Sequence, residues 1–274
     1  MPTQNPLRSH PNATGFGCHT TAQEGKTASG VPHRALIQEE NERSATISQI
    51  RSALIVHHAS PEMIARDRRK IANLIRQGYN VADGDAHRFP RADKTRKGNL
   101  VEVFLAEYLG AATAADLPVY RLRYNPNVEQ SMKGDDVLAF DFSAARPRII
   151  VGESKFRKAP SKAAVEEIVS GLVRSCEAGL PASLQFVADR LYEADNVGLA
   201  DRVSDCAVEM ANGRLDLSYV GLLLSTTAGK SKIDEHTESN LQTLVMISLG
   251  VDDPEKLVAD CFEGIEEEAH ADPG

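Results

Sequence analysis

Cysteine is sparse and scattered. The four thiols, Cys18, Cys176, Cys206 and Cys261, lie far apart and never form a Cys-x-x-Cys pair, so neither a zinc site nor a disulfide framework is signalled and they read as reduced thiols, mostly core filler. Long apolar runs are missing as well. None approaches the roughly 18 residues needed to cross a bilayer, and no basic start leads into an apolar N-terminal segment, so a cytoplasmic chain without a membrane anchor is expected. The eight histidines form no His-x-x-x-His pair, which leaves them surface or packing roles.

What is present is the composition of a globular chain: 42% hydrophobic and 26% charged residues over 274 positions, enough for one main domain with a sizeable core. The net charge of −8 is unevenly distributed. Residues 252–274 hold nine acids and one lysine, so the rest of the chain is close to neutral and the acidity belongs to a C-terminal helix. Two basic clusters stand out against that background. Arg88, Arg91, Lys94, Arg96 and Lys97 form one, and Lys155, Arg157, Lys158 and Lys162 the other; both suit phosphate contacts without sequence preference.

Residues 1–45 are rich in Pro, Gly, Ser, Thr and Asn and carry almost no apolar periodicity, which predicts a disordered or loosely ordered leader. Residues 46–93 read as an N-terminal helical region, with one helix starting near Ile47 and a basic one bracketed by Ser60-Pro61 and Gly78. From residue 94 onward the pattern is a helix near 99–109, strands at 119–124, around 137 and around 151, and a helix at 161–176. A helical insertion over about 183–212 precedes a strand at 219–224. A last strand at 244–249 leads into a helix capped by Asp253 and Pro254. Partner binding suits the acidic C-terminal helix, the basic helix at 61–77 or the insertion.

The stretch 133–157 carries most of the chemistry. Two apolar runs flank a short linker, Ser143 to Arg146, which predicts an antiparallel hairpin whose cross-strand partners sum to 289. In that register Asp136 faces Glu153, Asp141 pairs with Arg148, and Lys155 shares the face of Glu153. Opposed like charges destabilise a sheet unless something neutralises them, so the pattern predicts a hard, magnesium-type ion, Mg2+ or Mn2+. A slip of one residue exchanges Asp135 for Asp136, and both stay open, with Asp136 preferred.

The expected order of helix, three strands, helix and strand, with Asp before one strand and Glu-x-Lys ending the next, resembles the restriction-endonuclease-like, PD-(D/E)xK superfamily. Glu102 in the helix Gly98–Leu109, Asp136 in Gly134-Asp-Asp-Val137, and Glu153 with Lys155 in Gly152-Glu-Ser-Lys-Phe156 carry the resemblance; Gly134-Asp135 stands where that pattern has proline. Residues from about 94 to 268 more narrowly resemble the nuclease-subunit family of the Hachiman anti-phage defence system, the HamA family. The Lys-x-Arg-Lys-Gly-Asn-x-x-Glu, Lys-Gly-Asp-Asp and Val-Gly-Glu-Ser-Lys-Phe stretches are the matching parts. That resemblance implies an α/β fold with an αβββαβ core and a mixed sheet, DNA degradation restrained until infection, and a heterodimer with a helicase.

On this reading, Asp136, Glu153 and the Ser154 carbonyl hold the ion, and Glu102 holds a second ion or the attacking water. Lys155 orients that water or stabilises the charge developing on phosphorus. Lys94, Arg96, Lys97, Arg157, Lys158 and Lys230 are the expected nucleic-acid contacts. Three bland readings stand beside these roles: Glu102 follows Asn99 at capping-box spacing, Asp136 could end a turn, and Glu153 with Lys155 could be a salt-bridged strand end. A catalytically idle nuclease fold binding nucleic acid or a partner is therefore the alternative function. A phosphate-loop NTPase reading of Thr226–Ser231 is remote, because Leu224 stands where the loop needs its first glycine.

Overall fold

The computed structural model describes residues 5–11, 14–79, 87–143 and 146–271. The chain opens with strands β1 (Thr20–Lys26) and β2 (Pro32–Gln38), then helices α1 (Arg43–His58), α2 (Pro61–Arg76) and α3 (Asp93–Ala112). Strands β3 (Val137–Asp141) and β4 (Arg148–Phe156) follow, then α4 (Lys162–Glu177), α5 (Leu184–Glu193) and α6 (Val197–Ala211). The chain continues through β5 (Asp216–Ser225), α7 (Gly229–His236), β6 (Leu244–Gly250), α8 (Pro254–Phe262) and α9 (Ile265–His270). Ser60, Ser161 and Asp253 accept hydrogen bonds from backbone N–H groups of the first turns of α2, α4 and α8, so those starts follow side-chain capping.

One mixed sheet holds the six strands in the order β1-β2-β6-β5-β4-β3. The inner strands β2, β6, β5 and β4 pair in parallel, while β1 and β3 lie antiparallel at the two edges. Parallel strands are covered on both faces, which is why β6, Leu-Val-Met-Ile-Ser-Leu-Gly, is buried throughout instead of alternating. Side-chain parity divides the core in two. Val220, Leu222 and Ile247 pack toward α1, α3, α8 and α9, whereas Tyr219, Leu223 and Met246 pack toward α4, α5, α6 and α7.

Three expectations are corrected. Residues 20–38 are an ordered hairpin of the central sheet, not a loose leader, and Leu7 ahead of them is buried. The partner of β2 is β6, with His33 beside Met246, and no local pattern encodes a pairing across so many residues. The buried polar residues of β2 also hide it. Arg34 donates to Glu24, to the Tyr108 hydroxyl and to the Arg8 carbonyl, so its charge is satisfied inside the fold. Second, residues 119–124 are not a strand: Arg121–Tyr124 is a 3-10 turn, and a single antiparallel bridge from Asp116 to Phe140 stands in its place. The run after α3 therefore holds two strands, not three. Third, α3 begins at Asp93, so Asn99 is no cap; it is buried and its amide donates to His58 Nε2 at 2.9 Å.

The acidic C-terminal segment is bound to the body. Asp260 pairs with Arg43 at 2.8 Å, Glu268 accepts from Arg51 Nε at 2.8 Å, and Glu266 accepts the Arg88 backbone N–H at 3.0 Å. Among the described residues, no helix is long and apolar enough to cross a membrane.

Candidate metal and nucleic-acid site

The β3–β4 ladder runs from Val137 opposite Gly152 to Asp141 opposite Arg148, so each pair sums to 289 as the sequence requires. Residues 144–145 of the connecting turn lie outside the described residues. One position beyond the ladder, Asp136 Oδ2 accepts both the backbone N–H and the hydroxyl of Ser154, each at 2.9 Å. Its neighbour is committed elsewhere. Asp135 is buried, with Oδ1 accepting from the Ser175 hydroxyl at 2.9 Å and Oδ2 from the Ser183 backbone N–H at 3.0 Å. Gly134 precedes it with φ of 114°, and a Cβ there would meet Ser183 Oγ at 2.7 Å, so this turn requires glycine.

Glu102 projects from α3 into the same region, which the apolar residues around it fix by packing Val101, Phe104 and Leu105 in the core. Its Oε1 lies 3.3 Å from Arg121 Nε, with both side chains nearly buried. Burial pushes the Glu102 carboxyl up to about 8; Arg121 opposes that rise, and the charges of Asp136 and Glu153 add to it. Glu153 is also raised, first by burial and then by Asp136, against the pull of Lys155, whose ammonium touches its carboxylate. The Glu153 side chain rests against α4 at Gly171, where an added Cβ would come within 2.9 Å of its carboxyl carbon.

A cleft of about 610 Å3 brings Glu102, Asp136, Ser154 and Lys155 together with Lys94, Lys97 and Arg157. Behind Glu102 a second, small cavity of about 20 Å3 reaches His57 and Arg121, room for one water. Glu153 is set back from the cleft wall. Lys158 stands beside the cleft, whereas Arg96 turns away, donating to the Pro90 carbonyl and lying over the Phe262 ring. Lys230 is not brought to the cleft; it pairs with Asp234 at 3.2 Å on α7. The Thr226–Ser231 turn closes on itself through a bond from the Ser231 hydroxyl to the Ala228 carbonyl.

The donor chemistry fits a hard divalent cation, because the carboxylates of Glu102 and Asp136 line one oxygen-rich cleft with Ser154, and Glu153, set just behind its wall, adds to the negative charge that raises Glu102. Among the described residues no three acidic, histidine or cysteine side chains form a ready-made cage. Glu102 is held by Arg121 and Glu153 by Lys155, so a cation would compete with those two bases. Magnesium characteristically takes only one or two protein carboxylates and completes its shell with water and substrate phosphate, which this partial donor set permits.

Sequence reasoning missed three contributors. Arg121 was hidden in a segment with strand-like alternation, and Gly171 looks like any helix glycine. Ser183, which fixes Asp135, sits before α5 with no motif around it. The family model described as HamA matches residues 18–265, which takes in the N-terminal hairpin as well as the region from 94 onward. The Hachiman protein HamA of Bacillus cereus is 35% identical over 254 residues, covering 93% of this chain and 92% of that protein. On the extent of both matches, this chain belongs to the HamA family.

Proposed function

We propose that this chain is the metal-dependent nuclease subunit of a Hachiman-type anti-phage defence system, hydrolysing DNA phosphodiester bonds and working with a helicase partner. The observation that carries the reading is the shared cleft, in which Glu102, Asp136 and Lys155 stand beside Lys94, Lys97 and Arg157. The name of the Bacillus cereus relative supports the defence system. We read the core as restriction-endonuclease-like, with its first strand reduced to the Asp116–Phe140 bridge.

In this reading Asp136, Glu153 and the Ser154 carbonyl would hold Mg2+ or Mn2+, and Glu102 would hold a second ion or position the attacking water. A bound divalent ion supplies the charge that neutralises the scissile phosphate and makes hydroxide accessible near neutral pH. The chain's own residues do the rest. Ser154 fixes the orientation of Asp136 through two hydrogen bonds, so this carboxylate is held in place for an ion without reorganising. Lys155 exchanges its contact with Glu153 for the phosphate oxygen on which charge develops. Lys94, Lys97 and Arg157 hold the backbone without reading bases.

The contacts that Arg121 and Lys155 make with Glu102 and Glu153 favour one second reading, a catalytically idle nuclease fold that binds nucleic acid or a partner. A supercoiled-plasmid assay separates the two. Wild type with magnesium, alone or with the helicase and ATP, is expected to nick or linearise DNA; chelator, Glu153→Ala and Lys155→Ala are each expected to stop it. Wild type that never cleaves would establish the idle reading, and cleavage that survives both substitutions would move the site elsewhere.

A further inference from the structure

The carboxylate of Glu255 bridges two lysines from different elements. Its Oε1 lies 3.0 Å from Lys97 Nζ on α3, and its Oε2 lies 2.6 Å from Lys158 Nζ just after β4. Lys97 is the better anchored of the two: its ammonium also meets Asp93 at 2.7 Å and lies 5.3 Å from the centre of the Phe156 ring. Both Lys97 and Phe156 line the cleft that holds Glu102 and Asp136.

Two oxygens of one anion, each held by a separate ammonium, reproduce what a phosphodiester offers through its two non-bridging oxygens. We propose that Lys97 and Lys158 form a subsite for a nucleic-acid backbone phosphate at the mouth of the cleft, which Glu255 fills as an internal stand-in until the phosphate displaces it. This rests on the DNA-acting reading above and adds a contact outside the reacting centre.

Two features separate Glu255 from the other acids of the C-terminal segment. Asp260 and Glu268 tie α8 and α9 to arginines of α1, a structural employment on a different surface. Glu255 is half exposed in the first turn of α8, and Lys158 is more exposed still. Exposed ion pairs are weak and screened by salt, so this bridge yields readily to a ligand of higher charge density. The two lysines gain from the glutamate a fixed separation; Asp93 first and Glu255 after it raise the pKa of Lys97, and Glu255 raises that of Lys158.

The test is binding of a fluorescein-labelled DNA duplex, followed by anisotropy at low salt in chelator, where no cleavage intervenes. Glu255→Gln keeps the shape and removes the charge; it is expected to bind about three- to tenfold more tightly than wild type, as freeing cationic contacts for a phosphate requires. Glu267→Gln, an exposed acid on α9 with the same change in net charge, is expected to leave binding within about twofold, because the effect of a distant surface charge is screened. In a Lys97→Ala, Lys158→Ala background the gain from Glu255→Gln is expected to vanish. The subsite is overturned if Glu255→Gln only matches Glu267→Gln, if the gain survives without the lysines, or if neither wild type nor Glu255→Gln binds DNA. Since the readout is binding without metal, a protein that binds in this pattern yet never cuts would sink the nuclease reading and leave the subsite standing.

Discussion

Asp136 Oδ2 receives two hydrogen bonds from Ser154, backbone N–H and hydroxyl, each at 2.9 Å, and so clamps the approach to β3 onto β4 just past their last ladder pair. The adjacent Asp135 faces the other way, spending both oxygens on Ser175 and Ser183. Neighbouring aspartates therefore serve different masters. Asp136→Asn is expected to lower DNA cleavage at least about 100-fold, as loss of a charge aimed at the reacting centre does, while its melting temperature stays near that of wild type. Asp135→Asn is expected to cost about 1–2 kcal/mol, because two charge-assisted bonds become neutral ones: the amide oxygen still accepts the Ser183 backbone N–H, and the NH2 donates to a rotated Ser175 hydroxyl. Plasmid cleavage and urea unfolding on both variants check this; equal loss of activity at unchanged stability would return the two aspartates to equivalence.

Gly171 yields a sharper test of the Glu153 position. Glycine inside a helix costs about 1 kcal/mol relative to alanine, so replacement at an exposed helix position ordinarily stabilises. Here the new Cβ would stand 2.9 Å from the Glu153 carboxyl carbon and 3.1 Å from its Oε1. The flexible end of Glu153 gives way at small structural cost but leaves its place. Gly171→Ala is expected to keep or slightly raise the melting temperature while reducing cleavage about tenfold or more, since misplacement by an ångström is costly in catalysis. Retained full activity would mean that Glu153 need not sit where it does.

Residues 133–157 were legible because a tight hairpin is a local object: the linker length and the period of two set the register, and the ladder from Val137–Gly152 to Asp141–Arg148 follows. The helices α1, α2, α4, α5 and α6 were legible by the same local logic of period and cap. What escaped is what depends on distant partners. β1, Thr-Thr-Ala-Gln-Glu-Gly-Lys, is a polar, mostly exposed edge strand, and β2 is held in place by β6 from the far end of the chain. Residues 119–124 alternate like a strand, but only Leu122 is fully buried there, and Arg121 is turned in toward Glu102. No period in the sequence reports an ion pair between α3 and a 3-10 turn.

Glu102 sets activity against stability. Its carboxyl is raised by burial to about 8, so in the absence of metal the folded protein keeps a proton there that the unfolded chain, near the ordinary 4.5, has released. The folded state therefore binds more protons between these values, and stability falls as pH rises from about 4.5 through about 8. Glu102→Gln removes that loss. Measured in chelator, the variant is expected to equal wild type near pH 5 and to exceed it in melting temperature at pH 8, while losing at least about 100-fold in cleavage with magnesium. A variant less stable than wild type at pH 8 would show that the Arg121 contact outweighs burial.

His58 runs in the opposite sense. Its ring is buried where α1 meets α3, with Nδ1 donating to the Leu54 carbonyl at 2.8 Å and Nε2 accepting from the Asn99 amide at 2.9 Å, an assignment that requires the neutral imidazole. Burial is the main cause that lowers its pKa from 6.5 to about 4, helped by neighbouring His57. As pH falls, the unfolded chain takes up the proton first, so stability is complete above about 6.5 and drains away toward about 4. The full window is worth roughly 3 kcal/mol at 1.36 kcal/mol per pKa unit, and His33 and His57, also lowered by burial, tilt the slope the same way. Urea unfolding between pH 7.5 and 4.5 is expected to show that decline, and His58→Leu to flatten it while costing stability at neutral pH. Because Asn99 sits one helical turn before Glu102, protonating His58 sets two donors face to face and loosens the anchored face of α3. Hydrogen exchange along α3 should then accelerate on acidification before the strands of the sheet follow; uniform acceleration would place the acid-labile contact elsewhere.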